Sequence, residues 1–294
     1  MKNFILFLLI AFSFISCSST AQKDETITIS TNQWIGYTPL FYAYEKGYLK
    51  ELDVKLINSV SLAEAADIYR VGQANMVTTT QHEFNALRDD THNIVPVILL
   101  DRSNGADMVL SNRSLQELKD SKKIYAYLEV DSINREILKD FIKNNNLNEN
   151  NFVIINKDQE QIQNVNFKKL HNRDLLIVTY TPYDAPLKEQ GFKEVASTKN
   201  IDSIIVIDAL CSTKELRKNK EEQLLRLKKI IDKSIDEITQ NPRQAHKITA
   251  KYLSNISYAE FTSALKNIKW INKPSDELLE FISKYHYNRE TILK

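Results

Sequence analysis

Thr26-Ile27-Thr28-Ile29-Ser30, then Trp34-Ile35-Gly36-Tyr37-Thr38-Pro39, then Val54-Lys55-Leu56-Ile57 is the stretch on which the fold turns. The first five residues alternate polar and apolar, the period-two pattern of a strand. Thr38-Pro39 supplies a capping hydroxyl and a first-turn proline, so a helix opens there, and Gly47 closes it. Val54 to Ile57 reads as a second strand. Strand, helix, strand is the repeating unit of an α/β fold.

The same alternation continues outward. Ser61-Leu62-Ala63-Glu64 has capping-box spacing, and the helix it starts closes at Gly72. Met76-Val77-Thr78 is a third strand. Thr80-Gln81-His82-Glu83 is another capping box, leading a helix to about Arg88. Val95 to Leu100 is a fourth strand, with Pro96 implying an irregular or edge position. A second block follows Asp101. Its strands fall near Met108-Leu110, Ile124-Leu128, Val153-Ile155 and Leu175-Tyr180. One of its helices runs from Asp131-Ser132 to about Asn145, and another from Pro182 to near Gly191. Ile204 to Leu210 reads as a buried strand. From Ser212 onward the pattern is all helix, with Leu224, Leu227, Ile231, Ile235 and Ile238 on one face of the longest. This predicts two lobes, each a sheet flanked by helices. Residues 27–104 and 205–294 form lobe 1, with the C-terminal helices on it, and 105–204 form lobe 2. Two crossover strands join them, with a hinge at Asp101, Ser103, Gly105 and Asp208.

The N-terminus carries an export signal. Lys2 precedes an apolar run from Phe4 to Ile15, which is of signal-peptide length and shorter than the roughly 20 residues a membrane span needs. Phe14-Ile15-Ser16-Cys17 resembles a bacterial lipobox, with Phe14 standing where Leu is usual. Residues 1–16 are expected to be removed as a signal peptide, Cys17 to carry the acyl anchor, and 17–26 to act as a polar tether. An ordinary signal peptide with an incidental Cys is the competing reading. Of the two cysteines the other is Cys211, read as a buried small residue. The formal net charge of +1 falls to zero without Lys2, and no basic patch marks a nucleic-acid binder.

No Gly-x-Ser-x-Gly elbow, His-Glu-x-x-His pair or phosphate-cradling glycine loop occurs. The five histidines lack metal-ligand spacing, so neither metal nor cofactor is expected. What recurs is a strand that ends in hydroxyl or aromatic residues and leads into a helix N-terminus. Trp34 to Pro39, Ser59-Val60-Ser61, Thr78 to Gln81, Glu129 to Ser132 and Tyr180 to Tyr183 all do so. Helix N-termini hold anionic oxygens, and in a parallel α/β sheet such turns share one edge, where ligands bind. The candidate ligand-binding residues are therefore Trp34, Tyr37, Thr38, Ser59, Ser61, Thr79, Thr80, Asp131, Ser132, Tyr180 and Tyr183. Ser61, Thr80 and Asp131 have a plainer reading as helix caps, and Trp34 and Tyr37 as core aromatics. Asp131 would repel a bare anion such as nitrate but could pair with an amine.

Trp34 to Leu40 with Ala43-Tyr44-Glu45-Lys46-Gly47-Tyr48 resembles the opening of the nitrate/sulfonate/taurine-type ABC-transporter substrate-binding proteins. Val71-Gly72-Gln73-Ala74-Asn75 is similar to that family's Gly-Gln-x-Asp step, with Asn75 in place of Asp. Asp101 to Asp107, Thr179 to Tyr183 and Asp208-Ala209-Leu210 resemble its crossovers and second-lobe loop. The resemblance implies a type II periplasmic-binding-protein fold. It also implies a lipoprotein facing the periplasm or exterior that hands a small polar or anionic solute to an ABC permease and its ATPase. Sulfonates, nitrate, taurine and pyrimidine precursors are the solutes implied. A monomer that does not bind nucleic acid is expected. A sensing module coupled to a membrane partner, and an enzyme on the same fold, are the alternatives.

Overall fold

The computed structural model describes residues 26–170, 172–199 and 205–294. The expected signal peptide (1–16), Cys17 and the tether as far as residue 25 lie outside the described residues. The strands are β1 (Ile27–Asn32), β2 (Val54–Ser59), β3 (Met76–Thr79), β4 (Ile94–Ser103), β5 (Asp107–Ser111), β6 (Ile124–Leu128), β7 (Phe152–Asn156), β8 (Asp174–Tyr180), β9 (Lys193–Ser197), β10 (Ile207–Thr213) and β11 (Ile268–Trp270). The helices are α1 (Thr38–Glu45), α2 (Leu62–Arg70), α3 (Gln81–Thr91), α4 (Leu115–Asp120), α5 (Ile133–Asn144), α6 (Gln159–Gln163), α7 (Asp184–Glu189), α8 (Lys214–Asn219), α9 (Glu221–Gln240), α10 (Pro242–Thr249), α11 (Tyr258–Leu265) and α12 (Asp276–Ser283).

Two sheets form, in the orders β11-β4-β10-β3-β1-β2 and β7-β6-β8-β5-β9. The chain leaves the first after Ser103, builds the second, and re-enters the first at Ile207. The pairs β1/β2 and β1/β3 are parallel because a helix carries the chain back between them. β10, however, runs antiparallel to both β3 and β4, and β5 antiparallel to β8 and β9. Both sheets are thus mixed, because each crossover inserts its strand against the local direction.

Pro96 has β10 on one side only, since β11 pairs with β4 no further back than Asp101, so the irregular or edge position expected of it is the one it takes. Having no N–H to give, it sits where the ladder register shifts between Leu210 and Cys211. The tail is not all helix: β11 pairs with residues 101–103 of β4. Thr38 lies inside α1 and donates its hydroxyl to the Ile35 carbonyl at 2.5 Å, so Tyr37 takes the cap position without a side-chain cap. The two sequence-read capping helices do form. Ser61 accepts from the Glu64 amide, and Thr80 and Glu83 cap each other.

The core of lobe 1 is closed by α9, which buries Leu224, Leu227, Ile231, Ile235 and Ile238 and packs on α1 and α10. Each such side chain contributes about 1.5–3 kcal/mol by leaving water. Asn75 uses both ends of its amide. Its Oδ1 accepts from the Thr28 amide at 2.8 Å while its Nδ2 donates to the Thr26 carbonyl at 3.0 Å. A carboxylate could make only the first bond.

The two crossovers are tied to each other. Ser103 and Thr198 share a hydroxyl contact at 2.7 Å, the Thr198 hydroxyl accepts from the Gly105 amide at 2.8 Å, and the Ser103 amide donates to the Val206 carbonyl. Gly105 has φ of +110°, a conformation that favours glycine.

Candidate functional site

The lobes meet at a narrow cavity with about 10 Å³ open to water. The first sheet and its helices contribute Asn32 from the end of β1, Trp34 and Tyr37 from the turn that follows, Leu62 at the start of α2, Thr80 at the cap of α3, and Asp208 from β10. Lobe 2 contributes Asp107 from β5, Ile133 at the start of α5 and Tyr180 at the end of β8, and Val206 closes the wall from the return crossover. Strand ends feeding helix N-termini gather here, as the switch-point rule for α/β sheets requires.

Trp34 and Tyr180 meet edge to face across the interface with centroids 5.6 Å apart, and Tyr183 stands behind Tyr180 at 5.4 Å. Trp34 Nε1 donates to the Asp101 carboxylate at 3.2 Å, and the Tyr37 hydroxyl donates to Asp208 Oδ1 at 2.5 Å. Asp101 and Asp208 face each other in the β4/β10 register. Burial pushes Asp101 up to about 8, with the Trp34 N–H offsetting part of the rise. Burial likewise raises Asp107 to about 7. It raises Asp208 well above the usual carboxylate range, and the neighbouring Asp101 adds to the rise.

Two further carboxylates seal the lobe interface. Glu83 accepts from the Thr80 amide at 2.9 Å and from the Ile133 amide of lobe 2 at 3.0 Å. It therefore serves the N-termini of α3 and α5 at once. Glu129, at the end of β6, is buried with neither oxygen hydrogen-bonded. Burial pushes it up to about 7, and Glu83 adds to the rise. Ser61 and the Ala63 amide at the start of α2 offset it without closing a bond. Glu83→Ala is expected to cost about 3 kcal/mol, because the Thr80 and Ile133 amides would both be buried unpaired. Urea unfolding measures this, and Glu83→Gln should recover part of it through its amide oxygen. A loss below about 1 kcal/mol would mean that water replaces the carboxylate.

Of the residues singled out in the sequence, Trp34, Tyr37, Thr80 and Tyr180 line the cavity. Ser59, Ser61 and Ser132 are buried near it, but their hydroxyls serve local backbone: Ser59 donates to the Thr31 carbonyl, Ser61 caps α2, and Ser132 donates to the Glu129 carbonyl. Thr38 is in the lobe 1 core beside Ile35. Thr79 turns to the opposite face of the sheet, 3.3 Å from the Cys211 sulfur. Asp131 is exposed, and its buried neighbour is Glu129. Sequence reasoning missed Asn32, Leu62 and Ile133 as lining residues, and it read Asp208 as hinge only. It quoted Asp107, Glu83 and Glu129 inside motifs without giving them a role. Among the described residues no cluster of three His, Cys, Asp or Glu side chains is arranged to hold a metal ion. None of their helices is long and apolar enough to cross a membrane.

Residues 34–245 match the family model described as NMT1/THI5 like. No curated protein matches the chain in sequence. Solved structures match its shape at low identity. The ligand-binding component of an ABC-type import system from Staphylococcus aureus, solved with zinc bound, has a TM-score of 0.68 at 14% identity, covering 91% of this chain and 96% of that one. The periplasmic aliphatic sulphonate binding protein SsuA from Escherichia coli scores 0.69 at 11%, covering 88% and 84%. The Candida albicans CA3427 product, described as having the generic periplasmic binding protein fold, scores 0.65 at 10%, covering 92% and 98%. The likeness shows the fold: this chain has the two-lobed periplasmic-binding-protein architecture.

Proposed function

This chain belongs to the NMT1/THI5-like family, and on that premise we propose that it is an extracytoplasmic solute-binding protein of an ABC importer, closing two lobes on a small polar solute. The observation that carries the reading is the cavity between the lobes, walled by Trp34 and Tyr180 and lined by buried carboxyls from both sides. Clefts at domain interfaces are the usual place for a ligand, and hinge closure is the usual motion around one. The Ser103–Thr198 tie between the crossovers, with Gly105 beside it, is the pivot of that motion. The cavity is too narrow to admit a solute as it stands, so this is the closed form, and opening at the pivot lets the solute in.

The protein binds rather than transforms its solute. Its buried thiol, Cys211, is pushed up to about 12 by burial and faces Thr79 in a core away from the cavity. The permease and its ATPase are the partners, and the chain works as a monomer. The run ending at Ser16-Cys17 supports export and a lipid anchor on Cys17. Cys17→Ala is expected to leave the protein unprocessed or to free it from the membrane fraction. Unchanged detergent partitioning and unchanged mass would exclude the anchor.

The solute-binding reading is tested by fluorescence, since the chain has two tryptophans, Trp34 at the cavity and Trp270 outside its lining. A solute found by thermal-shift screening should stabilise the fold by about 2.7 kcal/mol at a hundred times its dissociation constant. It should change the emission of wild type and Trp270→Phe but not of Trp34→Phe. A stabilising solute whose signal is carried by Trp270, or which is chemically turned over, contradicts the reading.

A further inference from the structure

The cavity has helix N-termini on it, and two of the three are already filled. Such termini would hold an anion if free. Those of α3 and α5 are taken by Glu83. That of α2 has Glu64 bonded to the Val60 amide and Glu129 facing Ser61 and the Ala63 amide. The remaining polar lining is rich in acceptors, although Tyr180 accepts from Asn32 Nδ2 and keeps its own O–H to give. Asn32 Oδ1, Asp107 Oδ2 and Asp208 Oδ2 are buried without a hydrogen-bond partner, and all three residues line the cavity. Neither oxygen of Glu129 at the same interface has a partner. The donors of Trp34, Tyr37 and Thr80 are already given to Asp101, Asp208 and Glu83. No Lys, Arg or His lines the cavity.

Each buried acceptor left without a donor destabilises the fold, and a carboxylate does so most. Several such groups converging from two lobes mark a place where a ligand supplies what is missing. We propose that the solute is a small organic cation of the ammonium or amidinium class, its N–H groups reaching Asp107 of lobe 2 and Asp208 and Asn32 of lobe 1. This rests on the solute-binding reading above and deepens it. Once ionised, carboxylates brought together from both lobes repel until a cation lies between them, which couples closure to binding. The Trp34 and Tyr180 rings wall the same cavity and shield it from water. A sulfonate or nitrate would add negative charge where few donors remain.

The test uses simple probes at millimolar concentration and a pH above 8, where the Asp107 carboxyl, raised to about 7, is ionised. Acetamidinium, guanidinium and methylammonium chlorides are compared with sodium methanesulfonate and sodium nitrate at matched ionic strength. The cations are expected to raise the melting temperature by several degrees over sodium chloride, and the two anions to leave it unchanged. Asp107→Asn and Asp208→Asn should melt no lower than wild type, because each removes a buried charge, and should lose the response to the cations. A rise with either anion, no rise with any cation, or a full cation response in both variants overturns the proposal. The two readings fail separately. An anion that stabilises the fold and alters Trp34 emission would leave the receptor and remove the cation. Cation binding that leaves Trp34 emission unchanged would remove both.

Discussion

Gly36→Ala is expected to destabilise the protein by about 3 kcal/mol and to abolish solute binding. Gly36 lies in the turn between β1 and α1, in an ordinary backbone conformation, so the requirement for glycine here is one of space. A methyl group at this position would overlap the Asp101 carboxyl and the Trp34 indole nitrogen. Both are buried, and they are bonded to each other. Relief means breaking that bond and displacing either the strand carrying Asp101 or the indole that walls the cavity. The Trp270 N–H also donates to the Gly36 carbonyl at 3.3 Å, so moving the turn costs a second contact. The urea midpoint reads the stability loss and Trp34 emission reads the site. A midpoint equal to wild type would mean that Asp101 and Trp34 move aside freely, and the rigid wall described here would be wrong.

The second large effect is a loss of stability as pH rises from 5 to 8. In the unfolded chain these carboxyls titrate near 4. In the fold Asp107 and Glu129 are raised to about 7 and Asp101 to about 8, all by burial, and Asp208 moves in the same direction. Between those values the native protein holds more protons than the unfolded chain. Stability is therefore fully present below the unfolded values and falls as pH rises through the folded ones. One proton of difference amounts to about 1.4 kcal/mol per pH unit, so each carboxyl held about three units high contributes a loss of a few kcal/mol over the window. Urea midpoints measured across this range without solute should fall and then level off above the raised values. Asp208→Asn should flatten the slope. A midpoint that stays constant or rises would show that the carboxyls are not buried as charged groups. An organic cation added at the upper end should restore part of the loss, because it supplies the charge that deprotonation leaves unmatched.

Much of the fold was legible because local chemistry and packing agree. The period-two run at Thr26 to Ser30, the Gly47 and Gly72 stops and the capping boxes at Ser61 and Thr80 all lie where strands and helices begin or end. What was not legible depends on long-range geometry. The direction of β10 is set by the crossover from lobe 2, and nothing in residues 207–213 encodes it. β11 is three residues long and exists because residues 101–103 offer it a free edge. The site was half legible for a related reason. Hydroxyls at helix starts look alike whether they cap or bind, and here Ser61, Thr80 and Ser132 all cap. Glu129 and Asp131 are two residues apart, one buried and one exposed, and the turn taken after Leu128 decides which. Asp107 and Asp208 sit on the crossovers, so a reading along the chain sees a hinge, while the folded lobes bring both to the cavity wall.

The most direct test of the account is the distance between the lobes in solution. Spin labels at Val71 on lobe 1 and Ile154 on lobe 2, which are 68% and 47% exposed, report it in a chain carrying Cys17→Ser. With a stabilising solute the distance distribution should be single and narrow, and without it a second, opened population should appear. An identical distribution with and without saturating solute would contradict a receptor that closes on its ligand.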